Sequence, residues 1–375
     1  MQKIRLISRI FVGLLFTFSG FVKSLDPLGS TYKFTDYFTA FGMSWAEQLA
    51  FTLAIIMSTA EFLVGLTLLF NIKTKISAWG ALIFMAFFTP LTLVLAISNP
   101  VTDCGCFGDA LILTNWETFF KNIVILIPTL IVFFGRNKFQ TYLSNATEWI
   151  VTGVLTIAIV GFSFYCLNHL PVIDFRPYKI GTHIPDKMII PEGAKPDVYK
   201  TTFIYENLKT GEQKEFNETN YPWQDTLNWK WKDSKSILVE EGYHAPIHDF
   251  VLETEEDGDI TDTILNNVNY TFLLVAYNIN KSSIKHQDKI NALAKYCKEK
   301  NLEFVCATSS NTEEIEKFKQ KTNADYKFAS CDEITLKTII RSNPGLVMLK
   351  KGTVMNMWSH SDIPDVKEFE EKILK

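Results

Sequence analysis

Five long apolar runs occupy the first 170 residues of this chain, and they constrain its fold more than any other feature. A helix needs about 20 apolar residues to cross the hydrocarbon core of a bilayer. The predicted spans are residues 4–22, 47–70, 76–97, 116–134 and 149–167. Because backbone polar groups must be satisfied inside the bilayer, each run is expected to be a helix. The chain is therefore predicted to begin with a helical membrane domain in contact with the lipid bilayer.

The second half of the chain has the charge content of a soluble polypeptide. It carries most of the Lys, Glu and Asp residues, while the net charge of the whole chain is −4 and no basic block stands out. Nucleic acid is therefore not expected as a partner. The predicted domains are a transmembrane bundle at 1–140, a fifth transmembrane helix at 141–170, a β-rich segment at 171–242 and an α/β domain at 243–375.

The distribution of basic residues predicts the orientation of the membrane domain. Basic residues are concentrated in the polar segments that flank the apolar runs on one side of the predicted bundle. They are Lys3, Arg5, Arg9, Lys73, Lys75, Arg136 and Lys138. The positive-inside rule then places the N-terminus in the cytoplasm and, after five spans, everything beyond residue 167 outside. The first run could instead be a signal peptide, but no small-residue cleavage site follows it. We expect a protein of the bacterial inner membrane with an extracytoplasmic C-terminal domain.

Two cysteines one residue apart lie in the polar loop between the third and fourth spans. Cys104-Gly105-Cys106 could close only a very small disulfide ring, and strained or exposed disulfides tend to be the labile or catalytic ones. The glycine supplies the backbone freedom that such a ring requires. A redox role for Cys104 and Cys106 is the favoured hypothesis. A structural or vestigial pair and a metal site remain open, although no further Cys or His lies in the loop.

Three charged residues near this loop are candidates for supporting roles. Glu61 lies within the second span, where a carboxylate is by default functional, or else pairs with a hydroxyl of another span. Lys121 lies one to two turns into the fourth span and could lower a thiol pKa, or simply extend to the interface. Lys23, at the end of the first span, has the same two interpretations. Cys166 could form a disulfide with the loop or pack as a small hydrophobic residue.

The region after the membrane domain predicts strands. Residues 201–205 and 214–216 flank the turn sequence Lys209-Thr210-Gly211, which indicates a β-hairpin. Trp223, Trp229 and Trp231 follow closely. They are predicted to form the core of a small β domain, with a ligand-stacking surface as the alternative.

From residue 243 onward, alternating strand and helix patterns resemble the thioredoxin fold. Ala245-Pro246-Ile247-His248-Asp249-Phe250 is similar to the N-terminal hairpin of membrane-tethered, thiol-reducing members. Asn343-Pro344 matches the position of the fold's cis-proline. Residues 278–283 stand where those enzymes carry Cys-x-x-Cys and contain no cysteine, so the redox step of that family is not expected here. Cys297 and Cys306 are predicted to be structural, whereas Cys331 could be exposed, which leaves a redox role open for it.

The membrane half resembles the DoxX superfamily and, within it, the MauE-like proteins. The resemblance rests on Phe18-Ser19-Gly20-Phe21-Val22-Lys23, on Glu61 with Gly65, and on Asp103-Cys104-Gly105-Cys106-Phe107-Gly108. It implies a four-helix bundle and, from the MauE-like branch, a role in disulfide handling during maturation of a periplasmic amine dehydrogenase. This chain carries its own additional domain, so that substrate is not transferred to it.

These observations predict thiol–disulfide electron transfer at the extracytoplasmic membrane face. Cys104 and Cys106 would be the cycling pair, and an extracytoplasmic protein would be the thiol or disulfide partner. The alternative is a non-catalytic scaffold or assembly factor whose thioredoxin-like domain binds another protein. A third hypothesis is a bundle that handles a small solute or a quinone with Glu61. No cofactor is predicted, and the sequence supplies no independent support for a quinone.

Overall fold

The computed structural model describes residues 1–101, 103–240 and 242–373. The chain forms two compact units. One joins Met1–Thr182 to Phe250–Lys375, and the other is His183–Asp249. The first unit therefore contains both the membrane bundle and the C-terminal α/β lobe (residues 250–373), and these two parts pack as one body.

Six α-helices form the N-terminal bundle. They are α1 (Gln2–Leu25), α2 (Pro27–Ala40), α3 (Ala50–Leu69), α4 (Thr74–Ser98), α5 (Asn115–Gly135) and α6 (Asn145–His169), with short 3-10 turns at Ser44–Leu49, Gly108–Ala110 and Arg136–Lys138. Within the described residues, five helices are long and apolar enough to cross a membrane: Gln2–Leu25, Ser44–Leu69, Thr74–Ser98, Asn115–Lys138 and Asn145–His169. The five apolar runs are confirmed as helices of membrane-spanning length, and the long connection after the first of them contains helix α2.

Helices α1 and α3 cross so closely that side chains are excluded at the contact. A Cβ at Gly20 would lie 2.3 Å from the backbone nitrogen of Phe62, and one at Gly65 would lie 2.2 Å from that of Thr17. Small residues at helix crossings permit such an approach in the bilayer, where dispersion and interhelical hydrogen bonds drive association. Val12, Phe16 and Leu68 fill the adjoining core. This crossing brings polar groups of the two helices within hydrogen-bond distance.

Because consecutive spans alternate in direction, one end of the bundle collects three segments. These are α2 with its flanking residues, the cysteine loop (residues 99–114) and the end of α6. Helix α5 begins immediately after the cysteine loop with a capping box, in which the Thr114 hydroxyl accepts from the Glu117 N–H and Glu117 accepts from the Thr114 N–H. The loop is thus held between a fixed helix start and the end of α4.

The second unit is built around a three-stranded antiparallel sheet. Its elements are α7 (Ile184–Met188), β1 (Val198–Asn207), β2 (Gln213–Asn217) and β3 (Trp229–Glu240), in the order β2-β1-β3. The predicted hairpin is confirmed by the β1–β2 pairing. The predicted tryptophan core is wrong: Trp223 is 61% exposed and Trp231 is 55% exposed. Trp229 packs edge-on against Phe216, and a sheet of three strands offers too little surface to bury the other two rings as well.

The C-terminal lobe contains one mixed seven-stranded sheet. Its elements are β4 (Glu253–Thr254), β5 (Gly258–Asp259), α8 (Thr261–Leu265), β6 (Tyr270–Val275), α9 (Gln287–Glu299), β7 (Glu303–Thr308), α10 (Thr312–Thr322), β8 (Lys327–Ser330), α11 (Glu333–Ile339), β9 (Gly345–Lys350), β10 (Thr353–Ser359) and α12 (Val366–Glu368), with the turn Ile279–Lys281 and a final π-helical turn Phe369–Ile373. The strand order is β10-β9-β6-β7-β8-β4-β5. Strands β6, β7 and β8 are parallel, and β9 and β10 form the expected antiparallel edge.

Sequence patterns located most elements of this lobe but missed strand β8, whose run of four residues is too short for a periodicity. The Asn343-Pro344 bond is cis, at the position the resemblance indicated. Asn343 fixes the segment that follows β6, since its side chain donates to the Asn278 carbonyl at 2.8 Å and its carbonyl accepts from the Ser283 N–H at 2.9 Å. The segment without cysteines therefore lies directly against this peptide bond.

Candidate functional site

The two thiols of the cysteine loop face each other. The Sγ atoms of Cys104 and Cys106 lie 2.8 Å apart, and both cysteines are unbonded thiols in this structure. Gly105 between them has φ +64°, a left-handed conformation that a residue with a side chain adopts only with strain. The pair needs little movement to reach the roughly 2.0 Å of a disulfide bond. Cys104 is only 7% exposed, so the pair is less open to a partner than its loop position suggested.

Helix α2 holds the loop in place. Lys33 forms an ion pair of 2.5 Å with Asp103, whose other carboxylate oxygen accepts from the Gly105 N–H at 2.8 Å. The Tyr37 hydroxyl donates to the Cys104 carbonyl at 2.7 Å. Helix α2 begins at Pro27 with Asp26 as its N-cap, which accepts from the Gly29 N–H at 2.9 Å. These bonds fix the backbone on either side of Gly105.

The mid-span carboxylate has partners on the neighbouring helix. Glu61 Oε2 lies 2.6 Å from Lys23 Nζ, and Glu61 Oε1 lies 2.8 Å from the Ser19 hydroxyl. The same hydroxyl is 2.6 Å from the Cys106 carbonyl oxygen, to which its single proton can be donated instead. Glu61 therefore pairs with a hydroxyl of another span, which was one of its two interpretations, and the same hydrogen-bond network reaches the cysteine loop, as a functional role requires. Lys23, Ser19 and Glu61 connect the α1–α3 crossing to the cysteine loop.

Two lysine charges act on the Cys106 thiol. The hydrogen bond from the Cys104 thiol lowers the pKa of Cys106 most, burial opposes it, and the positive charges of Lys121 and Lys23 lower it further, to about 6. The pKa of Cys104 is raised because its proton is held by the Cys106 sulfur and because it is buried. Cys106 is therefore the thiolate of the pair, the form that reacts with disulfides and oxidants. Lys121 also lies 4.4 Å from the centre of the Phe107 ring.

A cavity of about 340 Å³ inside the bundle opens onto this pair. Cys104, Cys106 and Phe107 form one end of it together with Lys23, Glu61 and Lys121, and the rest of its wall is almost entirely apolar. Helices α1 to α5 all contribute to the wall. The predicted site residues Lys23, Glu61, Cys104, Cys106 and Lys121 are thus all brought to one cavity, although four separate segments of the chain supply them.

The C-terminal lobe covers the same end of the bundle. Arg341 Nε lies 2.8 Å from Asp26, at the start of α2, and Arg341 Nη2 lies 3.3 Å from Asp109, in the cysteine loop. Burial alone would raise the pKa of Asp26, but the Arg341 and Arg176 charges lower it below its ordinary value, so this carboxylate is ionised at neutral pH. A second anchor joins His169, at the end of α6, to Asp362 at 2.7 Å.

The remaining cysteines do not join the site. Burial raises the pKa of Cys297 and Cys331 to about 12 and raises that of Cys306 as well. The predicted exposure of Cys331 is wrong, since it packs at the end of β8 and is 6% exposed. Cys166 is buried near the end of α6. In the part of the chain that the structure describes, no group of three or more His, Cys, Asp or Glu side chains could hold a metal ion.

Sequence reasoning missed several residues that shape the site. It did not identify five of them as site residues: Ser19, Tyr37, Asp26, Asp109 and Arg341. Ser19 could have been found from its position one turn before Lys23 on the same helix face. Arg341 lies 315 residues from Asp26 along the chain, and no local pattern predicts that pairing.

Comparisons with known proteins agree with the membrane assignment. Residues 1–135 match the family model described as Methylamine utilisation protein MauE. Residues 199–241 match a second family model, described as Domain of unknown function (DUF8463). No curated protein and no solved structure matches the chain. The N-terminal part is therefore MauE-like, and the five spans make the chain an integral membrane protein.

Proposed function

We propose that this protein carries out membrane-associated thiol–disulfide electron transfer with Cys104 and Cys106 as the cycling pair. The observation that carries the proposal is the position of two facing thiols, 2.8 Å apart, at the charged end of an apolar cavity. A structural pair would need neither the ionised Cys106 nor two lysine charges directed at it.

The reaction begins with the pair oxidised. A partner thiolate attacks Cys104 Sγ, and Cys106 leaves because the thiol with the lower pKa is the better leaving group. A second partner thiol then attacks the partner sulfur of the mixed disulfide and releases Cys104. The partner gains a disulfide, the pair gains two electrons, and the two partner protons pass to the cysteine pair and the solvent. Transfer in the opposite direction uses the same steps in reverse.

The C-terminal lobe has a docking role in this proposal. Residues 278–283 carry no thiol, so the lobe does not relay electrons itself, and its thioredoxin-like character remains a proposal based on strand order and Asn343-Pro344. Arg341 ties the lobe to Asp26 and to Asp109 of the cysteine loop, and in this proposal opening of that contact gives a partner thiol access to Cys104.

The proposed location is the bacterial inner membrane, with the cysteine loop and the C-terminal lobe on the extracytoplasmic face. Disulfides persist in that compartment. The MauE family takes its name from methylamine utilisation, and we propose an accessory role of that kind, in which another extracytoplasmic protein is the partner.

A second candidate is a non-catalytic assembly factor. It is favoured by the low exposure of Cys104 and by the buried contact between Arg341 and the bundle, both of which suit a permanent scaffold. In that case the C-terminal lobe would bind a partner protein and the thiols would stay inert.

A redox titration of the purified full-length protein separates the two candidates. The protein is equilibrated in graded mixtures of reduced and oxidised dithiothreitol and labelled with a maleimide-polyethylene glycol. The proposal requires a reversible two-thiol transition with a midpoint above about −300 mV, the region below which structural disulfides lie. Cys166→Ser is the control and should leave the transition unchanged. A pair that stays reduced, or stays oxidised, at every potential supports the scaffold instead.

Mixed-disulfide trapping then identifies the partner. In the reverse direction Cys104 attacks a partner disulfide, and Cys106 then resolves the mixed disulfide by attacking Cys104 Sγ. Cells expressing Cys106→Ser should therefore accumulate a reducible adduct between Cys104 and the partner, which releases one partner thiol as it forms, and Cys104→Ser should not form it. Adducts of equal amount in both variants would contradict this assignment of roles.

A further inference from the structure

The apolar cavity is larger than the thiol chemistry requires. Its volume of about 340 Å³ falls within the roughly 300–1,000 Å³ of small-molecule sites, and eight of its described lining residues are phenylalanines. Such a wall suits a flat, apolar ring, because aromatic side chains stack on ring faces at low cost. The charged lining residues Lys23, Lys33, Glu61 and Lys121 come from the same segments that hold or face the cysteine pair, and Ser58 and Asn122 add polar side chains to the wall.

Of the described lysines that line the cavity, Lys121 is the one without a carboxylate partner. Lys23 is already paired with Glu61, and Lys33 with Asp103. Among the described residues no carboxylate pairs with Lys121, which rests on the face of Phe107 and lines the cavity. An ammonium group in an apolar cavity is stabilised by a ligand oxygen that accepts a hydrogen bond, such as a ring carbonyl.

We propose that a lipid-soluble quinone binds in this cavity and takes the two electrons of the reduced Cys104–Cys106 pair. The inference rests on the proposed function, since it names the acceptor of the same pair. A quinone fits both features of the cavity, because its flat ring can stack on the phenylalanine wall and a carbonyl oxygen can accept a hydrogen bond from the Lys121 ammonium. A lipid acyl chain would meet only the first and would accept no electrons.

The Cys106 thiolate supplies an electron pair toward the quinone, and the Cys104 S–H bond breaks as the Sγ–Sγ bond forms. The pair loses two electrons, which pass to the quinone ring. The two carbonyl oxygens take two protons, one from Cys104 and one from the solvent. The products are the disulfide and a hydroquinone. The protein then works in the oxidising direction toward its thiol partner.

The test uses the full-length protein in nanodiscs without oxygen. The pair is reduced with dithiothreitol, the reductant is removed, and decylubiquinone is added while quinone absorbance and free thiols are followed together. One quinone should be reduced for each pair oxidised. In Cys104→Ser/Cys106→Ser no quinone should be consumed. If wild-type thiols titrate in the dithiothreitol series but never reduce decylubiquinone, the quinone inference is overturned while the redox function stands. If the thiols do not titrate at all, the proposed function itself fails.

Two neighbouring tryptophan substitutions localise the site. Met57 lines the cavity, whereas Ile56, next to it on α3, is 55% exposed on the lipid-facing surface. Met57→Trp should slow quinone reduction at least about tenfold, because a displaced acceptor loses reactive geometry, while Ile56→Trp should match the wild type. Both variants should keep the wild-type transition in the dithiothreitol series. If Met57→Trp does not accumulate, Ala54→Leu fills the same wall with less bulk. Equal rates in cavity-filled and wild-type protein would place the reaction outside the cavity and refute the assignment.

Discussion

Lys23 and Glu61 form an ion pair of 2.6 Å between the first two membrane-spanning helices, directly beneath the cysteine loop. The pair exists because Gly20 and Gly65 let α1 and α3 approach until no Cβ fits at the crossing. Through Ser19 it is also connected to the carbonyl of Cys106. Helix packing and the position of a reactive thiol are therefore set by the same contact.

Removing one partner of this ion pair should destabilise the protein more than removing both. Glu61→Ala leaves Lys23 without a countercharge in a largely buried position, a change that typically costs about 3–5 kcal/mol for buried pairs. Glu61→Ala/Lys23→Met removes both charges and should recover much of that loss. Thermal unfolding in detergent measures the effect. Additive losses in the double variant would show that the two residues do not interact.

The reactivity of Cys106 should depend on pH in a range unusual for cysteine. Because its pKa is lowered to about 6, the thiolate predominates at neutral pH and is lost as pH falls through that value. Alkylation by monobromobimane should therefore have a midpoint well below the ordinary cysteine value. Cys104→Ala should move the midpoint upward most, since the Cys104 hydrogen bond is the largest cause, and Lys121→Met should move it upward less. Cys297→Ser is the control and should not move it.

Opening the contact between the C-terminal lobe and the bundle should expose Cys104. Arg341→Ala removes both carboxylate bonds, so in a Cys106→Ser background a charged, membrane-impermeant maleimide should label Cys104 at least several-fold faster than when Arg341 is present. Arg341→Lys keeps a positive charge, although it loses the two-carboxylate geometry, and should fall between the two. The exposed Lys321 of the same lobe serves as control, through Lys321→Ala. Unchanged labelling in Arg341→Ala would mean that this contact does not limit access.

Membrane orientation can be measured directly. Alkaline phosphatase fused to the C-terminus should be active, because an odd number of spans and a cytoplasmic N-terminus place that end outside. The same enzyme inserted between α3 and α4, beside Lys73, should be inactive. Activity in the reverse pattern would reverse the orientation and place the cysteine pair in a reducing compartment.

The sequence alone determined the membrane domain, its five spans and the thiol pair, because these are local properties. An apolar run of sufficient length can satisfy its backbone in a bilayer only as a helix, and Cys-Gly-Cys is visible wherever it folds. The order of strands and helices in the C-terminal lobe was also readable, since periods of 2 and 3.6 residues reflect which face is buried. Short elements such as β8 could not be predicted, because four residues show no periodicity. The exposure of Trp223, Trp231 and Cys331 could not be predicted either, because burial depends on neighbours distant in sequence.

Only the tertiary structure decided how the pieces form a site. Sequence patterns indicated five separate candidate site residues: Lys23, Glu61, Cys104, Cys106 and Lys121. Their convergence on one cavity follows from the close α1–α3 crossing and from α2 binding the loop through Lys33 and Tyr37. The placement of Arg341 over Asp26 and Asp109 was equally invisible in the sequence. Contacts between residues hundreds of positions apart depend on how whole helices and a sheet pack, and one sequence carries no local signal of that arrangement.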